Sequence, residues 1–181
     1  MRKSHRWLIA ALAVILVVGV GVTVALLVSS TNPIVNTFTF GGVNITLTET
    51  TGTEYTMTPG VPVKKDPTVT VLADSETSWL FVKVDKQHNF DAFCVYEMED
   101  GWTALDGQEG VYGRLVEKSM ADQVFPVLKD NRILVRDTVT EEQLAAVSER
   151  PTLTFTAYAI QGDSLTNAAD AWRTLNQRKG E

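Results

Sequence analysis

The sequence predicts a mostly β fold, a sandwich or a barrel, preceded by an N-terminal hydrophobic helix. Short runs rich in valine, threonine and aromatic residues recur along the chain, and turn signals such as Asp-Gly separate them, which is typical of an all-β domain. The helix is predicted from residues 7–28, a run of 22 residues without a charge. A helix of that length spans about 33 Å, enough to cross the hydrocarbon of a bilayer.

The N-terminal run is predicted to carry the chain across a membrane. Arg2, Lys3 and Arg6 precede it, and no other charge occurs before residue 29. Since basic flanks stay on the cytoplasmic side, the rest of the chain should lie outside the cell. Residues 1–28 are therefore interpreted as a signal peptide or a membrane anchor.

Small residues at the end of the run suggest where a signal peptidase would cut. Thr23-x-Ala25 and Val28-x-Ser30 resemble cleavage sites, with cleavage after Ala25 or after Ser30. Without cleavage, residues 7–28 would anchor the chain in the membrane. A polar linker over 29–36, broken by Pro33, and a single β-sandwich domain over 37–178 are predicted to follow.

The exported part is acidic, which excludes a nucleic-acid partner. Residues 29–181 contain 13 basic and 22 acidic residues, a net charge of −9. Nucleic-acid binding needs clustered cations, and Lys64-Lys65 is too small a patch. The single cysteine, Cys94, excludes an intrachain disulfide, and its apolar setting F-C-V-Y predicts a buried thiol.

Besides the segment 36–49, six β-runs and two helices are predicted in the domain. In residues 152–160, Leu153, Phe155, Ala157 and Ala159 should share one face of a strand. The remaining strands are predicted over 68–72, 79–85, 90–98, 111–117 and 132–135. Thr140 and Gln143 form a capping box for a short helix. After a cap at Asn167, a last helix carries an apolar stripe formed by Ala168, Ala171, Trp172 and Leu175, which we expect to pack on the sandwich rather than to bind a partner.

An irregular strand is predicted at N-T-F-T-F-G-G-V-N-I-T-L-T-E, residues 36–49. Its apolar residues alternate, but the phase shifts at the two glycines. If the segment stays in its own sheet, the glycines would form a β-bulge that returns the apolar residues to one face. If the segment instead pairs with a neighbouring subunit, the glycines would form a hinge. Candidates for such a donor strand are Phe38, Phe40, Gly41, Gly42, Val43, Ile45 and Leu47.

No catalytic or cofactor signature is found in the sequence. The exported part has one histidine, His88, whereas a zinc site needs three or four ligands. No G-x-S-x-G elbow, phosphate-binding glycine loop or calcium-loop spacing is present, and Glu97, Glu99 and Asp100 are interpreted as a solvated hairpin end. We therefore predict no catalytic, cofactor-binding or metal site, and no enzyme activity.

Several runs in order resemble the TasA/camelysin-type proteins, which a SipW-type signal peptidase exports in Gram-positive bacteria. The resemblance is carried by the membrane segment with V-N-T-F-T-F-G-G-V-N-I-T-L-T-E, by T-P-G-V-P-V-K-K-D-P-T-V-T-V with S-W-L-F-V-K-V, by G-W-T-A-L-D-G with G-V-Y-G-R, and by L-T-F-T-A-Y-A-I-Q with A-A-D-A-W. It implies an extracellular jelly-roll-like antiparallel β-sandwich and biofilm-matrix fibres in which an N-terminal strand fills a groove in the next subunit. The metalloprotease activity described for camelysin is not implied, because no zinc motif matches.

Three functional hypotheses follow. The first is a structural surface or matrix protein that joins itself, or related fibre subunits, head to tail by strand addition. The second is a membrane-anchored surface or fibre-accessory protein that does not polymerise. The third is a secreted hydrolase, which would have to recruit His88.

Overall fold

The computed structural model describes residues 26–29, 36–52, 54–162 and 164–179. These residues are mostly β, as the sequence predicts. Their strands are β1 (Leu26–Ser29), β2 (Asn36–Phe40), β3 (Ile45–Thr48), β4 (Glu54–Met57), β5 (Pro62–Lys64), β6 (Thr68–Val71), β7 (Ser78–Gln87), β8 (Cys94–Val95), β9 (Thr103–Ala104), β10 (Val111–Val116), β11 (Gln123–Pro126), β12 (Arg132–Val135) and β13 (Thr152–Gln161). Their helices are α1 (Phe90–Phe93), α2 (Glu141–Ala145) and α3 (Ala168–Lys179), with a short 3-10 segment at Lys129–Asn131.

The strands form one mixed sheet and three antiparallel sheets. The largest has five strands in the order β2-β13-β7-β10-β9, and the others are β11-β6-β3, β5-β12-β8 and β1-β4. Within the five-stranded sheet β2 runs parallel to β13, whereas all other neighbours are antiparallel. The antiparallel arrangement that the resemblance implies holds for the other strand pairs described, but not for β2 and β13. A parallel pair needs a long connection, and here the chain between β2 and β13 supplies it.

Strand β13 is buried on both faces over much of its length. Leu153, Phe155, Ala157 and Ala159 belong to the main core, as predicted, together with inward residues of the two three-stranded sheets. On the opposite face Tyr158 and Ile160 lie in a second core beneath α3. The strand is therefore central to both layers of packing.

The apolar stripe of α3 packs against the five-stranded sheet, which confirms the prediction. Ala171, Trp172 and Leu175 are buried there, and the Trp172 ring centroid lies 5.1 Å from that of Phe81. The predicted cap is also present, since the side-chain oxygen of Asn167 accepts a hydrogen bond from the Asp170 N–H at 2.9 Å. The capping box of α2 forms between Thr140 and Gln143, as expected.

The prediction of a continuous strand over 90–98 is wrong. His88 and Asn89 adopt left-handed backbone conformations, with φ of 54° and 57°, and they reverse the chain after β7. The next residues form α1, which buries Phe90, and only Cys94–Val95 pair as a strand. The apolar alternation was produced by a helical turn followed by a short strand. The described residues therefore contain three α-helices, one more than the two predicted for the domain.

The predicted N-terminal helix over 7–28 lies outside the described residues, except for its end. There, Leu26 to Val28 are extended in β1 and pair with β4. Nowhere in the described ranges is a helix long and apolar enough to cross a membrane.

Candidate functional site

The first candidate site is the edge of the five-stranded sheet, where the N-terminal strand β2 meets the C-terminal strand β13. The parallel register runs from Asn36 opposite Thr156 to Phe40 opposite Ile160. On its other side β13 pairs with β7 over ten positions. Among the described strands, β2 is thus the edge that completes the backbone pairing of β13.

The chain leaves this sheet at Gly41-Gly42. Gly41 has a φ of +85°, a conformation that residues with a side chain rarely adopt. A Cβ placed there would lie 2.6 Å from the side-chain oxygen of Gln161. The Gly42 N–H donates to that oxygen at 3.2 Å, and the Gly42 carbonyl accepts from the Glu76 N–H at 2.9 Å. The turn therefore requires glycine at its first position and is held by polar contacts.

Beyond the glycines the chain enters a different sheet. Val43, Ile45 and Leu47 are all buried in the main core, and β3 pairs antiparallel with β6. The β-bulge interpretation is wrong, because the two halves of the segment belong to separate sheets. The phase shift seen in the sequence marks a passage from one sheet to the next.

The structure therefore divides the seven donor-strand candidates. Phe38 and Phe40 lie in β2, the two glycines form the turn, and the remaining three belong to the body of the domain. The alternative cleavage positions, Ala25 and Ser30, lie outside the described residues on either side of β1.

A buried charged cluster lies just beyond β3, and the sequence analysis missed it. Lys65 Nζ lies 2.7 Å from Glu49 Oε1, and the two side chains are 4% and 5% exposed. The Tyr55 hydroxyl donates to the same Glu49 oxygen at 2.6 Å, and the Lys65 ammonium lies 5.3 Å from the Tyr55 ring centroid. Burial, then the hydrogen bond to Glu49, raises the pKa of Tyr55, which keeps its hydroxyl a donor.

The basic pair Lys64-Lys65 is consequently not a surface patch. Lys64 is exposed on β5, whereas Lys65 points into the protein. Alternation along an extended chain separates the two side chains, and this signal was available in the sequence. The cluster resembles a structural ion pair more than a reactive site, since both lysine and glutamate are saturated by close partners.

Cys94 is buried, as predicted, and is 1% exposed. Removal from water raises the pKa of its thiol to about 12, although the charge of Arg136 opposes this shift. The thiol is therefore protonated and inert at neutral pH.

His88 lies at a surface cleft of about 440 Å³ beside α1 and α2. Its Nδ1 lies 2.9 Å from Glu149 Oε2, and the glutamate side chain is 75% exposed. Among the described side chains, the hydrogen bond of His88 goes to Glu149 and to no serine or cysteine, so this pair has no nucleophile in contact with it. In the described part of the chain, no group of three or more His, Cys, Asp or Glu residues is placed to hold a metal ion.

Comparisons with protein-family models, with curated proteins and with solved structures found no match to this chain.

Proposed function

We propose that this chain is an exported structural protein of the cell surface or biofilm matrix, which assembles into fibres by adding its N-terminal strand to a neighbouring subunit. In this proposal β2 of one copy occupies the edge of β13 in the next copy. Head-to-tail exchange of this kind does not close on itself, so it generates filaments.

The observation that carries the proposal is the separation of β2 from the rest of its segment. Val43 and the residues after it anchor β3 in the main core, whereas β2 touches the body as the edge strand of another sheet. A strand at an edge can leave without breaking a sheet in two. The same backbone hydrogen bonds can then be supplied by an identical strand from another copy.

The glycine turn supports the same proposal. Exchange requires the chain to change direction between the core-anchored β3 and the donated β2. Glycine permits backbone angles that other residues do not, and both positions of this junction are glycine. Within this proposal the β domain is the jelly-roll-like sandwich that the family resemblance implies.

A disulfide between β2 and β13 tests the proposal directly. Asn36 and Thr156 are neighbours in the parallel register, at a spacing that a disulfide can span. Asn36→Cys and Thr156→Cys are combined with Cys94→Ala, and the oxidised protein lacking residues 1–25 is run on a non-reducing gel. Strand exchange is expected to give a ladder of covalent oligomers that collapses on reduction.

The competing outcome is a cross-linked monomer. It would mean that β2 completes its own sheet, and it would overturn the proposal. Either cysteine alone, in the same background, is the control and should give no ladder. Negative-stain microscopy should show filaments for protein lacking residues 1–25 and none for protein lacking residues 1–40, which has no β2.

Mass measurement of the protein exported by its host distinguishes the membrane-anchored alternative from the fibre-forming protein. An intact N-terminus on all of the exported protein would favour an anchored, non-polymerising surface protein. Loss of the N-terminal run would agree with release of the chain for assembly.

A further inference from the structure

A surface cleft of about 340 Å³ lies between the β9–β10 edge of the five-stranded sheet and the start of α3. Four of its nine lining residues are glycine or alanine, namely Gly101, Ala104, Gly113 and Ala168. Because these positions carry no side chain or a single methyl group, they leave the space open. The volume of the cleft lies in the range of sites that hold small organic molecules.

The large side chains that line the cleft are mostly apolar. They include Trp79, Leu105 and Leu115, and Leu115 is 47% exposed. Trp79 and Leu105 are partly buried and pack against the core beneath α3, which holds them in place. A ligand with an apolar body would therefore bury apolar surface of the cleft that now faces water.

Arg114 is the only charged residue that lines the cleft. Two aromatic rings lie against its guanidinium, since the ring centroids of Trp102 and Phe125 are 5.4 Å and 4.2 Å from Arg114 Cζ. Gly101, which also lines the cleft, comes so close that a Cβ there would lie 3.0 Å from Arg114 Nη2. These contacts fix the position of the guanidinium beside the cleft.

In the described part of the chain, no carboxylate pairs with Arg114. It belongs to none of the ion pairs there, and its Nε is buried without a hydrogen-bond acceptor. Burial lowers the pKa of Arg114, whereas a nearby carboxylate would raise it. Aromatic rings can cover the faces of a guanidinium, but its N–H donors need acceptors in its plane. An anionic ligand would supply those acceptors.

We propose that this cleft binds a small organic acid, with its carboxylate against the guanidinium of Arg114. The apolar body of the acid lies against Trp79, Leu105 and Leu115. A planar guanidinium and a planar carboxylate can form two parallel N–H···O bonds, and no acidic residue lines the cleft to repel the ligand. The cleft lies at the β9–β10 edge of the sheet and β2 forms the opposite edge, so the inference does not depend on strand exchange.

Isothermal titration calorimetry of the purified chain with three probes tests this inference. 3-Phenylpropionate carries both a carboxylate and an apolar ring, 3-phenylpropanamide lacks the charge, and acetate lacks the ring. 3-Phenylpropionate is expected to bind at least about tenfold more tightly than either of the others. The reason is that charge-assisted hydrogen bonds are stronger than neutral ones, and burial of the ring adds to them.

Variants of the lining residues assign the binding to the cleft. Arg114→Gln should weaken binding of 3-phenylpropionate by at least about tenfold, and Arg114→Lys, which keeps the charge, should fall between that variant and wild type. Ala104→Phe keeps Arg114 but fills the cleft from an exposed position, and it should abolish binding. Arg132→Gln removes an exposed cation outside the cleft and is the matched control, with unchanged affinity. Circular dichroism and thermal unfolding of each variant report whether it is folded.

The inference fails if folded wild-type chain does not bind 3-phenylpropionate, or if it binds the acid and the amide equally well. It also fails if folded Arg114→Gln or Ala104→Phe protein keeps the wild-type affinity, because Arg114 would then serve only to pack against the two rings. The covalent ladder of the Asn36/Thr156 cysteine pair reports strand exchange separately. Ala104→Phe should leave that ladder intact, so failure of one proposal can be told from failure of the other.

Discussion

Gln161, at the end of the last strand, accepts a hydrogen bond through its side-chain oxygen from the N–H of Gly42, 119 residues earlier in the chain. This contact fixes the turn between β2 and β3 against the end of β13. It places the junction of the N-terminal segment beside the strand that β2 completes.

The two glycines of this turn are expected to differ in their tolerance of alanine. Gly41→Ala should destabilise the domain by about 1–2 kcal/mol or more, because φ is positive there and the new Cβ would meet Gln161. Gly42→Ala is the matched control. Its Cβ would lie 3.3 Å from the Cγ of Glu76, in a side chain that can move, and 4.0 Å from the side-chain oxygen of Gln161, an ordinary contact. Urea unfolding of both variants measures the difference, and equal losses would contradict this account of the turn.

Removing one member of the Glu49–Lys65 pair should destabilise the domain strongly. Replacing both members together should destabilise it much less. Lys65→Met leaves a buried carboxylate without its cation, and we expect a loss of about 3–5 kcal/mol in the free energy of unfolding. Glu49→Leu should have a similar effect.

The double variant tests the coupling between the two charges. Lys65→Met with Glu49→Leu should lose clearly less than the sum of the single losses, because neither charge is left alone. Strict additivity in urea unfolding would mean that the two side chains do not interact.

Cys94 is expected to make stability fall at alkaline pH. The pKa of the thiol is about 12 in the folded protein and 9.0 when unperturbed, so above pH 9 the unfolded chain loses the proton first. The contribution of the buried thiol to the free energy of unfolding is fully present below pH 9. Between pH 9 and 12 it is lost at about 1.4 kcal/mol per pH unit. Urea unfolding at pH 8 and pH 10 should show a steeper fall for wild type than for Cys94→Ala. Parallel curves would contradict the prediction.

Removal of the Trp172 side chain should weaken the packing of α3 against the five-stranded sheet. Trp172 is 6% exposed and contacts Phe81 and Tyr158 with ring-centroid distances of 5.1 Å and 5.3 Å. Trp172→Ala is expected to lower the free energy of unfolding by about 3–5 kcal/mol. Arg173→Ala, at the adjacent exposed position, should change it by less than about 1 kcal/mol. A thermal unfolding series of the two variants measures the contrast.

Local patterns predicted those elements whose stability comes from neighbours in sequence. The capping box of α2, the stripe of α3 and the alternation in 152–160 all follow from periodicity and side-chain chemistry within a few residues. The run 90–98 failed for the opposite reason. Its apolar residues fit a strand, but His88 and Asn89 adopt left-handed conformations before it. Both residue types are enriched in such conformations, so the sequence permits a turn there, but it does not predict the helical turn that follows.

The sequence by itself determined that the domain is mostly β, that the thiol of Cys94 is buried, and that the phase of residues 36–49 shifts at two glycines. Only the tertiary structure decided what the shift means, because the partners of this segment are distant in the chain. β2 joins β13 and β3 joins β6, and alternation alone cannot say which sheet a strand enters. The same holds for Lys65, whose burial depends on Glu49, which lies just beyond the end of β3.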